Sequence, residues 1–153
     1  MASIDRADPV ILGHVLAEHR ELFNLIVAAR TSLSAAAPPS ERQRAEVLAC
    51  LGQLREHLRD HFAQEERGGF LEESVARVPR LSAQVQSIVA QHPVLLAELD
   101  GLIRELEAAT DGAESWARAA RAFADFSTHM TEHEKRENAV VQEGYNEDLG
   151  LVE

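Results

Sequence analysis

Two stretches decide the fold: HLRDHFAQE at residues 57–65 and HMTEHEKRE at residues 129–137. In each, two histidines and a glutamate follow at four-residue intervals. At about 100° per residue those three side chains descend one side of an α-helix. His57, His61 and Glu65 thus recur as His129, His133 and Glu137, an echo that suggests two related helical hairpins.

Around these anchors the chain reads as helix throughout. Of its 153 residues 45% are apolar but only 5% aromatic, and Ala, Leu, Glu, Arg and Gln, all good helix formers, dominate. Asp8-Pro9 suits a helix start, and a first helix is expected to run to about Ser34, where AAAPPS interrupts it. Ser40 with Gln43 reads as a capping box for a second helix, which Gly68-Gly69 stops after about Arg67. A short helical piece is expected over Phe70 to Arg77. Ser82 then caps a third helix running to about Ala108, with Pro93 inside it. Asp111 and Glu114 form a second capping box, for a fourth helix reaching about Gln142, before a polar tail, EGYNEDLGLVE, expected to be ordered only in part. Short connections make neighbours antiparallel. The expectation is one all-α domain over residues 1–153, an up-down-up-down four-helix bundle with its core over about 9–142, a tail over 143–153, and an extra helical piece between the second and third helices.

Charge and targeting narrow the function. A formal charge of −11, from 26 acidic against 15 basic residues, repels phosphate backbones and anionic membranes, so nucleic acid is not an expected partner. The start, MASIDRADPV, lacks the basic and apolar regions of a signal peptide, and no apolar run approaches the roughly 18 residues of a spanning helix, so a soluble, cytoplasmic protein without a membrane partner is expected. Cys50, the one cysteine, has no thiol partner for a disulfide or a zinc site and reads as a small apolar packing residue.

Helical phase sorts the seven histidines. In the first helix Leu12, Val15, Leu16, Leu22, Phe23 and Ile26 all fall within about 60° of His19, whereas His14 lies roughly 140° away. In the second, the stripe of Val47, Leu51, Leu54 and Leu58 contains Glu65 and His61, with His57 about 80° off at the margin. Val85, Ile88, Leu95, Leu96, Leu99 and Ile103 surround His92 in the third. In the fourth, Ala119, Ala122, Phe126, Met130 and Val140 bracket His133 and Glu137, with His129 toward the edge. Each helix thus aims one histidine inward, and two add a glutamate one turn on. Counted from the two hairpin turns, all four histidines reach one layer to within about one helical turn.

A single core histidine is usually just hydrogen-bonded, and most surface histidines do no chemistry. Two buried carboxylates are another matter: each costs several kcal/mol or more to desolvate, and the core-facing positions of the four helices offer no Lys or Arg near this layer. A metal cation supplies the charge. Imidazole with carboxylate and no thiolate suits iron, manganese or zinc better than calcium or magnesium. Six ligands exceed one tetrahedral zinc, and two carboxylates able to bridge, with histidines toward either end, describe a dinuclear centre, most simply of iron, with room for a small exogenous ligand. The Glu-x-x-His spacing of ferritin-like sites is absent, and HEKRE lacks the second histidine of a zinc-protease H-E-x-x-H.

His-x-x-x-Glu twice, as HFAQE and HEKRE, together with EHREL in the first helix and QHPVL in the third, resembles the hemerythrin-like (HHE) cation-binding family over roughly Gly13 to Gly150. The resemblance implies a non-haem, oxo- or hydroxo-bridged pair of irons, with Glu65 and Glu137 as bridges, His19 and His61 on one ion and His92 and His133 on the other. One departure is plain. Oxygen-carrying members place two histidines four apart in the third helix, whereas Ile88 and Leu96 flank His92 here. Water, a substrate, or a displaced His57 or His129 is left to take that place.

Three functional readings follow. The first is a di-iron protein that binds oxygen or a related small oxidant, peroxide or nitric oxide, for sensing, storage or detoxification. The second is a di-iron oxidoreductase turning over peroxide or nitric oxide. The third is a metal-sensing or iron-binding interaction module without turnover, in which the cation orders the bundle.

Overall fold

The computed structural model describes residues 2–34, 39–108 and 112–150, with side chains described at residue 17 and from 19 to 145 within those segments. Helix α1 spans Ala2–Leu33, α2 Glu41–Glu66, α3 Phe70–Arg77, α4 Ser82–Ala108 and α5 Gly112–Gly150, with one 3₁₀ turn, Pro79–Leu81, between α3 and α4. There is no strand among the described residues. Each long helix borders two others: α1 packs on α2 and α5, and α4 on α2 and α5. The all-α four-helix bundle expected from the sequence is the fold.

Local chemistry sets most of the boundaries. Ser40 Oγ accepts the Gln43 N–H at 3.1 Å while Gln43 Oε1 accepts the Ser40 N–H at 2.8 Å, so the capping box satisfies two helix-end donors at once. Gly68, at φ 93°, turns the chain out of α2 in a conformation that a side chain would strain. Three boundaries differ from expectation. Helix α1 is already helical at Ala2, so Pro9 lies inside it rather than at its start. Ser82 is helical rather than capping, because the 3₁₀ turn runs straight into α4. Helix α5 continues past Gln142 to Gly150, held by burial of Val141 and Tyr145. The expected second capping box depends on Asp111, which lies outside the described residues.

Burial divides into two apolar clusters. The larger fills the bundle with Leu22, Ile26, Leu51, Leu54, Leu58, Leu99, Phe126 and their neighbours, and half-buried Cys50 packs against it. The smaller, Leu71, Val78, Leu81, Ile88, Val140, Val141 and Tyr145, lies under α3. Each fully buried Leu contributes about 1.5–3 kcal/mol of transfer free energy, so the first cluster carries most of the stability. Phe23 departs from the expected stripe at 51% exposure. The buried face of α1 runs through Leu22, Ile26, Ala29 and Leu33, which leaves Phe23 about 80° from its centre. Helix α3 is seated closely on α5: a Cβ on Gly144 would stand 2.6 Å from Ser74 Cβ and 2.8 Å from its Cα.

Candidate metal centre

The polar layer lies between the two clusters. On α4, His92 sits between Ile88 of the smaller cluster and Leu95 of the larger; on α5, His133 and Glu137 sit between Met130 of the larger and Val140 of the smaller. His19, His61, His92, His133 and Glu137 are all buried, with Glu137 at 1% exposure, and Glu65 is half-buried. Such a layer is costly unless its charges are met inside it.

The six side chains converge as two overlapping sets. His19, His61, Glu65 and Glu137 bring one donor atom each to within 4.8 Å of one another, and so do Glu65, His92, His133 and Glu137. Both glutamates belong to both sets. His19 Nε2 lies 3.1 Å from Glu137 Oε2, His61 Nε2 3.3 Å from Glu65 Oε2, and His92 Nε2 3.2 Å from Glu65 Oε1, while His133 Nε2 abuts Glu137 Oε1. Although close, Nε2 of His92 and of His133, Oε1 of Glu65 and Oε1 of Glu137 make no hydrogen bond among the described residues. Buried nitrogen and oxygen donors aimed at one another without hydrogen-bond geometry fit a cation between them, and imidazole plus carboxylate is a donor set for iron, manganese or zinc.

The electrostatics show how far the layer depends on positive charge. Burial alone would raise the Glu137 carboxyl, yet the imidazoles of His133, His19, His61 and His92 gathered around it hold it well below the usual carboxylate range. Burial alone would lower His61 and His92, but Glu137 and Glu65 outweigh it, lifting His61 to about 10 and His92 to about 9; His19 is raised as well, against burial, by Glu137. Without metal, protons on the imidazoles stand in for the cations.

The match to the family model decides the family: the hemerythrin HHE cation-binding domain model fits residues 10–144. The chain belongs to the hemerythrin HHE family. Cation binding is the activity that this membership carries, and the His/Glu layer is the place for it. Neither the curated proteins nor the solved structures compared with the chain gave a match. Among the described residues no helix of this HHE domain is long and apolar enough to cross a membrane.

His57 and His129 stand outside both sets. His129 is exposed, with Nδ1 3.0 Å from Glu98. His57 is half-buried and stacks on His61 at 6.5 Å between centroids, beside an outer cleft shared with Glu21, Asp60 and Gln64. The side chain of His14 lies outside the described residues, as do those of Leu12, Val15 and Leu16. Ile88 and Leu96, where oxygen carriers of the family have a second histidine, pack into the smaller and larger clusters.

Sequence reasoning missed several residues here. Glu66 Oε2 lies 2.7 Å from His92 Nδ1, and Gln91 Oε1 lies 2.7 Å from His133 Nδ1. Phe62 lies face to face with His92 at 3.9 Å and edge-on to His133 at 5.5 Å. Glu134, half-buried, has its carboxyl pushed up to about 7 by burial, with His19 pulling the other way. Glu66, Gln91 and Glu134 each stand next to an inward ligand, and that adjacency was the available signal. A cavity of about 470 Å³ opens on the layer, bounded by His19, His61, Glu65 and Glu137 on one side and by Phe70, Leu71, Arg77 and Tyr145 on the other. Arg77, stacked 4.0 Å over the Tyr145 ring, brings a cation to the rim of the layer. It comes from α3, whose docking no periodicity encodes.

Proposed function

We propose that this HHE domain holds two iron ions and binds dioxygen or a related small oxidant such as peroxide or nitric oxide, in sensing, storage or detoxification. The observation that carries the reading is the sharing of Glu65 and Glu137 between two four-residue sets, the arrangement two bridging carboxylates require. His19 and His61 would hold one ion and His92 and His133 the other. Manganese or zinc satisfies the same donors, but zinc lacks the redox chemistry that a small oxidant needs, which iron supplies.

The chain's own residues set the conditions. The larger cluster closes the layer on one side and keeps bulk water from the carboxylates. The cavity reaches His19 and His61 but neither His92 nor His133, so an exogenous ligand enters at the first pair. His57 would back His61 from outside, and His129, paired with Glu98, would serve the surface. With hydrophobic residues beside His92 where a further histidine would stand, simple oxygen carriage loses ground to peroxide or nitric oxide chemistry.

The test is to reduce iron-loaded protein anaerobically and expose it separately to oxygen, peroxide and nitric oxide. The reading expects a ligand-to-iron charge-transfer band that responds to at least one of them and disappears in His61→Ala. An unresponsive spectrum, with consumption no faster than by free iron, would remove the oxidant role.

A further inference from the structure

The cavity on the polar layer is larger than dioxygen, nitric oxide or hydrogen peroxide requires. At about 470 Å³ it falls within the range of roughly 300–1,000 Å³ over which pockets take organic ligands. Hydrogen peroxide needs about the space of two water molecules, roughly 60 Å³ in all. The walls also differ in chemistry. One is the His19 and His61 end of the layer, with Glu65 and Glu137. The other is apolar, made by Leu71, Val141 and Tyr145 of the smaller cluster and by Phe70 packed against them. Helix α3 supplies Phe70 and Leu71, and Gly144 on α5 is what lets α3 approach so closely. A peroxide without a carbon body has nothing to place on that wall, whereas a carbon body gains by leaving water for it.

Charge narrows the ligand further. Beyond the layer itself, the charged side chains lining the cavity among the described residues are Glu73 and Arg77. Arg77 Nε lies 3.7 Å from Glu73 Oε1, and the guanidinium is stacked 4.0 Å over the Tyr145 ring. The two charges are met within the wall, so the lining offers no net attraction to an organic anion. An uncharged ligand with a polar head and an apolar body matches both walls.

We infer that the peroxide this centre takes is an organic hydroperoxide with a body about the size of one aromatic ring, its O–O head toward His19 and His61 and its body against Phe70, Leu71 and Val141. This rests on the dinuclear, oxidant-binding function proposed above and names the substrate class of that same site.

Protein loaded with Zn(II), which suits the same donors and has no redox chemistry to consume a peroxide, provides the test. Its zinc content is counted, and it is then titrated by calorimetry with cumene hydroperoxide and, separately, with hydrogen peroxide. The wild type should carry two zinc ions and bind cumene hydroperoxide at least about tenfold more tightly than hydrogen peroxide. Phe70→Ala should weaken cumene hydroperoxide by roughly tenfold, through loss of apolar contact. Phe70 is half-buried, and Phe70→Leu, which keeps an apolar wall, should recover most of that loss; the recovery separates a binding wall from a fold defect. With two zinc ions bound, equal affinity for the two peroxides, no binding of cumene hydroperoxide, or a Phe70→Ala loss that Phe70→Leu does not recover would overturn the inference and leave the dinuclear reading intact. Uptake of fewer than two zinc ions would overturn both.

Discussion

The two apolar clusters on either side of the polar layer do different work. The larger is a conventional bundle core whose Leu51, Leu54, Leu58 and Leu99 are wholly buried among residues from all four long helices. The smaller exists because an eight-residue helix, α3, packs against α5 and is pinned where Gly144 admits Ser74. One cluster makes the fold stable; the other, with Leu71 and Tyr145, lines the cavity that opens on the polar layer, as does Arg77 of α3. Stability and access are thus encoded in separate stretches of the chain and should separate under mutation.

The largest effect on that comparison should come from Leu54→Ala. It should cost about 2–5 kcal/mol of unfolding free energy, through lost burial and a residual cavity, while the amount of metal bound per folded chain stays unchanged. Denaturant unfolding with parallel metal analysis checks both halves. Gly144→Ala should cost less, about 1–3 kcal/mol, because the new methyl collides with the Ser74 backbone and α3 must shift. It should nonetheless alter the rate at which a small anion such as azide reaches the metal-loaded centre, measured by stopped-flow absorbance, where Leu54→Ala leaves that rate alone. The smallest effect is expected at the surface. Removing the Arg80–Glu143 pair, 2.6 Å apart beside the smaller cluster, should change stability by no more than about 1 kcal/mol, since exposed ion pairs contribute little.

Protonation sharpens the role of the layer between the clusters. His61 and His92 have folded values of about 10 and about 9, above the ordinary imidazole value of about 6.5. Their contribution to metal-free protein is therefore complete below about pH 6.5 and lost as pH rises toward those folded values. Glu137 has the opposite sign: its carboxyl is depressed, so its contribution is present above the ordinary carboxylate range and lost as pH falls through the depressed value. Metal-free protein should then melt at progressively lower temperature from about pH 6.5 to pH 10. Metal-loaded protein should not show that decline, because the cations replace the protons, and uptake should strengthen as pH rises. Melting curves of both forms across that range check this; equal alkaline decline would mean that the ions do not occupy this layer.

How much of this was legible in the sequence follows from what periodicity can and cannot encode. Four amphipathic helices, and the inward phase of His19, His61, His92, His133, Glu65 and Glu137, follow from 3.6-residue geometry applied within each helix, and the structure brings those six together. Phe23 was misjudged because a stripe drawn around His19 was centred about 40° from the face that α1 buries. The packing of α3, the closeness of Gly144 to Ser74 and the placing of Arg77 and Tyr145 at the cavity depend on contacts between elements, which no single-helix pattern carries. Glu66 and Gln91 lie between these cases, visible as neighbours of ligands but assignable only once α2, α4 and α5 are packed.

The most direct test of the central claim is a count of metal ions on protein purified without added metal, set beside Glu137→Ala prepared identically. If Glu65 and Glu137 bridge two positions, the native chain should carry close to two ions and the variant, still helical by circular dichroism, should lose them. A native chain with one ion or none, or a Glu137→Ala chain that keeps both, would contradict the account.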